Sequence, residues 1–159
     1  MIRQAIIKED VKRIYDIVFN EEVLPFMPYP NMSLEQFQSE LQKRSDRTFL
    51  YVYETAKEIS GVVELRKGEN KQNHIGHVAV FAVHPDFQNK GIGSEMMKHL
   101  LSITHDYGIK KLCLNVVSKN QRAIDFYKKF GFLIEGYFRR QIKENGSYGD
   151  LIAFSYLLE

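Results

Sequence analysis

The sequence predicts an α/β fold in which a single mixed β-sheet is flanked by helices. Segments rich in β-branched and aromatic residues alternate with segments of helical spacing, which places strands and helices in one chain. Two of the strands are each followed by a helix and then by another strand, as in parallel crossovers. The remaining strands follow one another through short turns. This order predicts one sheet with both parallel and antiparallel pairs.

Composition narrows the class of protein. The 159 residues, 44% of them hydrophobic, predict one domain over residues 1–159 with an ordinary core. A net charge of +2 is too small to indicate nucleic acid or an anionic membrane as partner, so we expect a small molecule. Cys113 is the only cysteine, which excludes a disulfide within the chain and favours a reducing compartment. With no signal-peptide pattern and no long apolar run, we expect a cytoplasmic protein.

The first half of the chain predicts four strands and two helices. Asp10 is expected to cap the first helix, and Ser33 with Gln36 forms a capping-box pattern for the second. Residues 22–32 are too rich in proline for a helix and too apolar for an idle linker, so they should pack on the protein. The predicted strands are residues 2–7, 48–54, 60–66 and 74–83, and the predicted helices are residues 10–20 and 33–43.

The second half predicts two helices and three strands. Gly108 and Gly131 are expected to end the two helices. Asn145 and Gly146 form a strong hairpin signal between the last two strands. The predicted helices are residues 94–107 and 120–130, and the predicted strands are residues 112–117, 133–142 and 151–157.

A glycine loop, QNKGIGS at residues 88–94, is the most informative motif. The first turn of a helix leaves backbone N–H groups without partners, and its dipole is positive there, so the loop can hold a phosphate or pyrophosphate. Met96 stands where a Rossmann fingerprint needs its third glycine, and GxxxxGK[ST] does not occur. Lys90 and Gln88 could assist with a cation and an amide. The alternative is a turn that merely starts a helix.

These residues resemble the GNAT superfamily of acetyl-CoA-dependent N-acetyltransferases over nearly the whole chain. QNKGIG matches the signature [QR]xxGx[GA] of that family. The resemblance implies a GNAT-type acyl-CoA N-acyltransferase fold, with a mostly antiparallel sheet of about seven strands splayed at the cofactor cleft and about four helices. The second family motif is matched by Asn120, Ala123, Phe126, Tyr127, Gly131 and Phe132.

The tail of the chain resembles one branch of this family. That branch acetylates free amino acids and other small amines, and protein N-terminus acetyltransferases are more distant relatives. The resemblance therefore implies transfer of an acetyl group from acetyl-CoA to a primary amine of a small molecule, by direct attack in a ternary complex. The tail residues that carry it are Glu135, Gly136, Arg139, Asn145, Gly146, Tyr148 and Asp150.

The resemblance also implies which residues bind the coenzyme. The signature loop holds the pyrophosphate, and the strand before it pairs with the pantetheine arm. The implied coenzyme-binding residues are Phe81, Ala82, Val83, Gln88, Asn89, Lys90, Gly91, Ile92, Gly93, Ser94, Asn120, Ala123 and Tyr127.

Acetyl transfer requires a neutral amine, a stabilised oxyanion and a protonated leaving thiol. The resemblance implies that Tyr127 protonates the thiolate, and a phenol with a pKa of about 10 is chemically suited to this. The candidate bases are His77, at a position where many relatives carry a carboxylate, and Glu64 on the neighbouring strand. Structurally, Tyr127 could instead be a core residue and His77 a strand-edge residue. His74 and His77 should face opposite sides of their strand, so we predict no metal site.

Acceptor recognition is implied at the segment after the first helix and at the late strands. Phe26, Tyr29 and Met32 would form an apolar wall, and Arg139 could attract a carboxylate. The same residues could instead be a lid on the core and a solvated strand face.

Three other functions remain alternatives: a protein N-terminal or ribosomal-protein acetyltransferase, a non-catalytic acyl-CoA-binding domain and a nucleotide-binding module. A homodimer is possible. The presence of Tyr127 and the intact glycine signature favour an enzyme.

Overall fold

The structure is a computed structural model that describes residues 1–56 and 58–159. These residues form seven strands in the order β1-β2-β3-β4-β5-β7-β6, and four α-helices. Neighbouring strands are antiparallel except β4 and β5, so the predicted mixed sheet is confirmed. The elements are β1 Ile2–Gln4, α1 Ile7–Val18, α2 Leu34–Gln42, β2 Thr48–Thr55, β3 Glu58–Lys67, β4 Ile75–Val83, α3 Ile92–Ile103, β5 Lys111–Val117, α4 Gln121–Lys129, β6 Leu133–Glu144 and β7 Ser147–Leu157.

The start of α1 corrects two predictions. Ile7 is the first residue of the helix and not the last of a strand, and Asp10 lies inside the first turn instead of capping it. The Asp10 carboxylate accepts the backbone N–H of Ile6 at 2.7 Å and two hydrogen bonds from Arg3 at 2.8 and 3.0 Å. A carboxylate that reaches back in this way satisfies an unpaired N–H from within the helix, so the helix begins three residues earlier than predicted.

The helices pack on both faces of the sheet. One group of buried apolar residues lies between the sheet and helices α3 and α4, and includes Met97, Leu100 and Phe154. Another lies between the sheet and helices α1 and α2, and includes Ile17 and Phe37. The sheet is therefore covered on both sides around β3 and β4, and this burial stabilises β4, which leads into the glycine loop.

The sheet splits between β4 and β5. These strands pair only where Ile75–His77 faces Lys111–Cys113, after which β4 stays with β3 and β5 stays with β7. A register shift in the β3–β4 ladder pairs Glu64 with Val80 but Leu65 with Val78, which leaves one extra residue in β4. Val78 and Val80 therefore pack on opposite faces of the sheet. This bulge bends β4 and opens the predicted splay.

Candidate active site

A cleft of about 870 Å³ opens where β4 and β5 separate. Its walls are the end of β4, the glycine loop with the start of α3, the first turns of α4, and the segment that follows α1. The structure brings together almost all of the predicted coenzyme-binding residues here. Those that line the cleft are Phe81, Ala82, Val83, Gln88, Asn89, Gly91, Ile92, Gly93, Ser94, Asn120, Ala123 and Tyr127.

The glycine loop presents backbone N–H groups to the cleft. Gly91 is the N-cap residue of α3 with φ of +81°, a left-handed conformation that disfavours a side chain. The first helical N–H to reach a carbonyl is that of Glu95, which donates to Gly91 at 3.1 Å. The amides of Ile92, Gly93 and Ser94 precede it and lie at the positive end of the helix dipole. The loop therefore fits a diphosphate group such as that of coenzyme A.

The side chains of the loop differ from the prediction. The Lys90 ammonium donates to the backbone oxygen of Asp86 at 3.0 Å and lies over the Phe87 ring, 5.2 Å from its centroid. Lys90 is thus turned away and is not among the described residues that line the cleft. The Gln88 amide donates to the backbone oxygen of Val83 at 2.9 Å. Of these two side chains, only that of Gln88 remains in the cleft.

The cation at the loop is Arg122, which the sequence analysis missed. Its guanidinium donates to the side-chain oxygens of Gln88 and Asn89, the latter at 3.1 Å, and so connects α4 to the loop. The available signal was its place in the first turn of α4, two residues after Asn120. Asn120 caps that helix by accepting the N–H of Ala123 at 3.2 Å, which fixes the turn that carries Arg122.

Tyr127 lies deeper in the cleft, on α4. It is a buried residue, and its ring contacts those of Phe81 and Phe126 with centroids 6.1 and 5.4 Å away. Burial raises the pKa of Tyr127 well above that of a free phenol, so its hydroxyl keeps its proton at neutral pH. Tyr127 is therefore a core residue that also lines the cleft and keeps its hydroxyl proton.

The structure does not bring either candidate base into the cleft. His77 lies opposite Cys113 in the paired part of β4, with Nδ1 3.5 Å from the cysteine sulfur. Burial and the nearby Arg66 lower the pKa of His77, so it is neutral at pH 7. Glu64 is fully buried on the α1 and α2 side, where its carboxylate pairs with Arg44 and, at 2.5 Å, with Arg66. Neither side chain is among the described residues that line the cleft with Tyr127.

The predicted acceptor wall is only partly present. Phe26 lines the cleft with 39% of its surface exposed, and Val23 and Met27 lie beside it. Arg139 is exposed on β6 and is not among the described lining residues, because the β6–β7 hairpin lies beyond β5 at the far edge of the sheet. The arginine predicted to receive a carboxylate is therefore not part of the wall of the cleft.

Tyr29 and Met32 anchor the segment after α1 instead of lining the cleft. The Tyr29 hydroxyl accepts a hydrogen bond from Arg44 at 2.5 Å, and its ring packs against that of Phe37. Burial and the charge of Glu64 raise the pKa of Tyr29. The backbone oxygen of Met32 accepts the Tyr15 hydroxyl at 2.7 Å. The segment does pack on the protein as predicted, and these contacts fix the part of it that faces the cleft.

Two other kinds of feature are absent from residues 1–56 and 58–159. No group of three or more His, Cys, Asp and Glu side chains there is arranged to hold a metal ion. No helix in these ranges has the length and apolar character needed to cross a membrane.

The cleft combines the backbone amides at the start of α3 with a buried, protonated tyrosine hydroxyl, an arrangement that suits a coenzyme A-dependent acyltransferase. The chain belongs to the acetyltransferase (GNAT) family, whose model matches residues 11–132. It is an acetyl-CoA-dependent N-acetyltransferase, which confirms the family, the activity and the coenzyme predicted from the sequence.

The chain is similar in sequence to known N-acetyltransferases, over most of its length in some cases and over part of it in others. It is 28% identical over 158 residues to spermidine N(1)-acetyltransferase of Escherichia coli, an alignment that covers 91% of this chain and 79% of that protein. It is 34% identical over 77 residues to an L-amino acid N-acetyltransferase of E. coli, which covers 46% and 48% of the two chains. Spermidine N-acetyltransferase from Vibrio cholerae, solved with CoA and spermine, has a TM-score of 0.86 at 22% identity over 99% and 94% of the chains. This last likeness shows the shared fold.

Proposed function

We propose that this protein transfers the acetyl group of acetyl-CoA to a primary amine of a small molecule, by direct attack in a ternary complex. The observation that carries the proposal is the continuity of the cleft, which runs from the glycine loop past Tyr127 to the segment with Phe26. Both substrates can therefore be held at once. Relatives that acetylate spermidine and amino acids support a small amine as acceptor.

The coenzyme is assigned to the backbone amides of the glycine loop and to β4. The amides of Ile92, Gly93 and Ser94 hold the diphosphate, and Arg122 adds a side-chain cation. Beyond His77, the backbone groups of β4 that point away from β3 have no strand partner among the described residues, so they are free to pair with an extended pantetheine arm. When bound, acetyl-CoA supplies a thioester that a neutral amine can attack.

Tyr127 is assigned as the proton donor to the departing sulfur. The buried surroundings of Tyr127 disfavour anions, because burial removes them from water. They therefore disfavour an unprotonated thiolate on the coenzyme as much as a phenolate on Tyr127. A hydroxyl that stays protonated can therefore stabilise the leaving group as charge develops on it. Neither His77 nor Glu64 has a direct part in this proposal, and the amine reaches its neutral form by losing a proton to water in the open cleft.

Release of free thiol from acetyl-CoA with a panel of primary amines tests this function. At least one amine should support turnover. Tyr127→Phe should lower kcat by about 100-fold, because the proton donor is removed, while coenzyme affinity stays the same. Tyr156→Phe is the matched control, since it removes a hydroxyl outside the cleft.

The results separate two claims. An unchanged kcat in Tyr127→Phe would remove the assignment of the proton donor alone. A protein that binds acetyl-CoA and acetylates none of the amines would contradict the proposed function.

We also propose that the protein acts in the cytoplasm and forms a homodimer. The free thiol of Cys113 supports a reducing compartment. Strand β6 is at the edge of the sheet and exposes Leu133, Tyr137 and Phe138, which supports pairing with a second copy.

A further inference from the structure

We propose that Glu64 is a positioning residue for the acceptor amine, and that it acts through Arg44 and Tyr29. Through these two residues it holds residues 22–27, the part of the chain after α1 that lines the cleft and that we call the acceptor segment. This inference rests on the acetyl transfer proposed above. It gives a part in acceptor binding to a carboxylate that does not itself reach the cleft.

A series of polar contacts joins Glu64 to Tyr29 across three parts of the chain. Glu64 is on β3, and its side chain is fully buried. One oxygen of its carboxylate accepts from Arg66 at 2.5 Å, and the other pairs with the guanidinium of Arg44, in the loop between α2 and β2. The second terminal nitrogen of Arg44 donates to the Tyr29 hydroxyl at 2.5 Å. Arg44 can hold both groups because its guanidinium is a planar fork of donors.

Tyr29 is connected to the acceptor segment by a short and stiff stretch of chain. Met27, which lines the cleft, is two residues before it, and Pro28 and Pro30 flank Tyr29. Proline fixes its own φ and restricts the residue before it, so the backbone from Met27 to Tyr29 has little freedom. The N–H of Met27 also donates at 3.0 Å to the helical turn of residues 24–26. The position of Tyr29 therefore sets the position of the acceptor segment.

Glu64 also connects these contacts to the strand on which the coenzyme is assigned. It faces Val80 in the β3–β4 ladder, at the register shift where β4 bulges. Just beyond this point, residues 81–83 of β4 line the cleft. Both the acceptor segment and β4 are thus held at one carboxylate, which keeps the bound amine in place relative to the thioester.

Stability alone does not require charged groups at this place. Apolar residues of similar size often replace a buried ion pair with no loss of stability, whereas charges that must all be paired favour one arrangement of their partners. The chain is also anchored further along, where the Tyr15 hydroxyl donates to the backbone oxygen of Met32 at 2.7 Å. Loss of the contact between Arg44 and Tyr29 should therefore loosen the acceptor segment and leave the rest of the fold in place.

Tyr29→Phe tests the inference through the kinetics. It removes the hydroxyl that accepts from Arg44 and keeps the ring that packs against Phe37. The probes are spermidine, alanine and 2-phenylethylamine, and KM is measured with the one that the parent acetylates fastest. KM should rise about fivefold, because a hydrogen bond is lost and only molecules with an ordered acceptor segment bind the amine. The kcat at saturating amine and the Kd for coenzyme A should not change, since Tyr127 and the glycine loop are untouched.

Glu64→Gln tests whether the effect begins at the carboxylate. This variant keeps the size of the side chain and removes its charge, and KM should rise as in Tyr29→Phe. Because both residues act through Arg44, the double variant should raise KM no more than the larger single change. Multiplied effects would overturn the route from Glu64 to Tyr29. Tyr51→Phe is the control, since it removes a hydroxyl that is hydrogen-bonded to Tyr107 at 2.6 Å outside the cleft, and its KM should equal that of the parent.

Hydrogen exchange in the absence of amine separates local loosening from a general loss of stability. The N–H groups of Leu24, Phe26 and Met27 are hydrogen-bonded to backbone oxygens of the preceding residues. In Tyr29→Phe these amides should exchange faster than in the parent, whereas those of β5 should not, as mass spectrometry of peptides can show. An unchanged KM in Tyr29→Phe, or exchange that is faster to the same degree along the whole chain, would overturn the inference and leave the proposed acetyl transfer standing. A parent that acetylates no primary amine would overturn both.

Discussion

Arg122 supplies the positive charge that the glycine loop does not direct into the cleft. The lysine of the loop, Lys90, is held by the backbone of Asp86 and by the Phe87 ring. The guanidinium of Arg122, on α4, instead donates hydrogen bonds to the side-chain oxygens of Gln88 and Asn89, which are uncharged acceptors. A phosphate is a stronger acceptor than an amide oxygen, so the guanidinium can exchange these contacts for the coenzyme.

Replacement of Arg122 should therefore weaken coenzyme binding. Arg122→Ala is expected to raise the Kd for coenzyme A by at least about tenfold, because a charge-assisted hydrogen bond contributes roughly 1.5–3 kcal/mol. Lys90→Ala should change it by less than about twofold. Isothermal titration calorimetry measures both. Equal losses in the two variants would show that general charge, and not the position of Arg122, holds the coenzyme.

The residues of the site could be predicted only where a short stretch of sequence is enough to recognise them. The glycine signature and Tyr127 are recognisable from short motifs, and both line the cleft. Arg122 and Lys90 could not be distinguished, since the partner of Arg122 is 34 residues away in Gln88. Glu64 was a candidate base because it lies on the strand beside β4, but Arg44, which pairs with it inside the fold, comes from the loop between α2 and β2.

At the level of elements, Asp10 connects β1 to α1. It accepts hydrogen bonds from Arg3 on the strand and from the N–H of Ile6 at the helix start. Burial alone would raise the pKa of Asp10, but these hydrogen bonds outweigh it and hold the pKa below its ordinary value. Because the unfolded carboxyl titrates at a higher pH, ionised Asp10 stabilises the fold above about pH 4, and this contribution is lost as the pH falls through the lowered pKa.

Asp10→Asn tests this connection. The variant should lose about 1–3 kcal/mol of unfolding free energy at pH 7, since it removes a charge-assisted pair. The difference from the parent should shrink as the pH falls through the lowered pKa and Asp10 becomes protonated. Urea denaturation across pH measures both effects. Asp16→Asn, which breaks the exposed pair with Lys12 on the same helix, should cost less than about 1 kcal/mol. A loss at Asp10 that does not vary with pH would contradict the assignment.

The elements were best predicted where their ends are set by local contacts. Ser33 and Gln36 form the predicted capping box of α2, and Gly131 has φ of +92° directly after the C-cap of α4. The predicted stop at Gly108 is wrong, because α3 ends at Ile103 and the chain passes through a turn before it reaches Gly108. The segment after α1 behaves differently. Its direction depends on Tyr29 and on Arg44, 15 residues further along the chain, so the sequence could predict that it packs but not which side chains face the cleft.

On the scale of the whole molecule, the splayed sheet divides the fold at the cleft. Strands β4 and β5 are joined by a ladder of three residue pairs, and beyond it each strand continues with its other neighbour. The glycine loop follows β4, and α4 follows β5. A ligand that contacts the loop, β4 and α4 at once therefore connects two parts of the sheet that the protein itself joins at one end only.

Coenzyme A should therefore stabilise the folded state, and its two halves should contribute separately. At a concentration about 100 times its Kd, it is expected to add about 2.7 kcal/mol, which raises Tm by about 5–10 °C for a chain of this size. ADP at the same concentration should produce a smaller shift, because it offers a diphosphate to the loop but has no pantetheine arm to pair with β4. Differential scanning calorimetry measures both shifts. If ADP stabilised the protein as much as coenzyme A, the unpaired edge of β4 would have no part in binding, and the splay would not be the site of the arm.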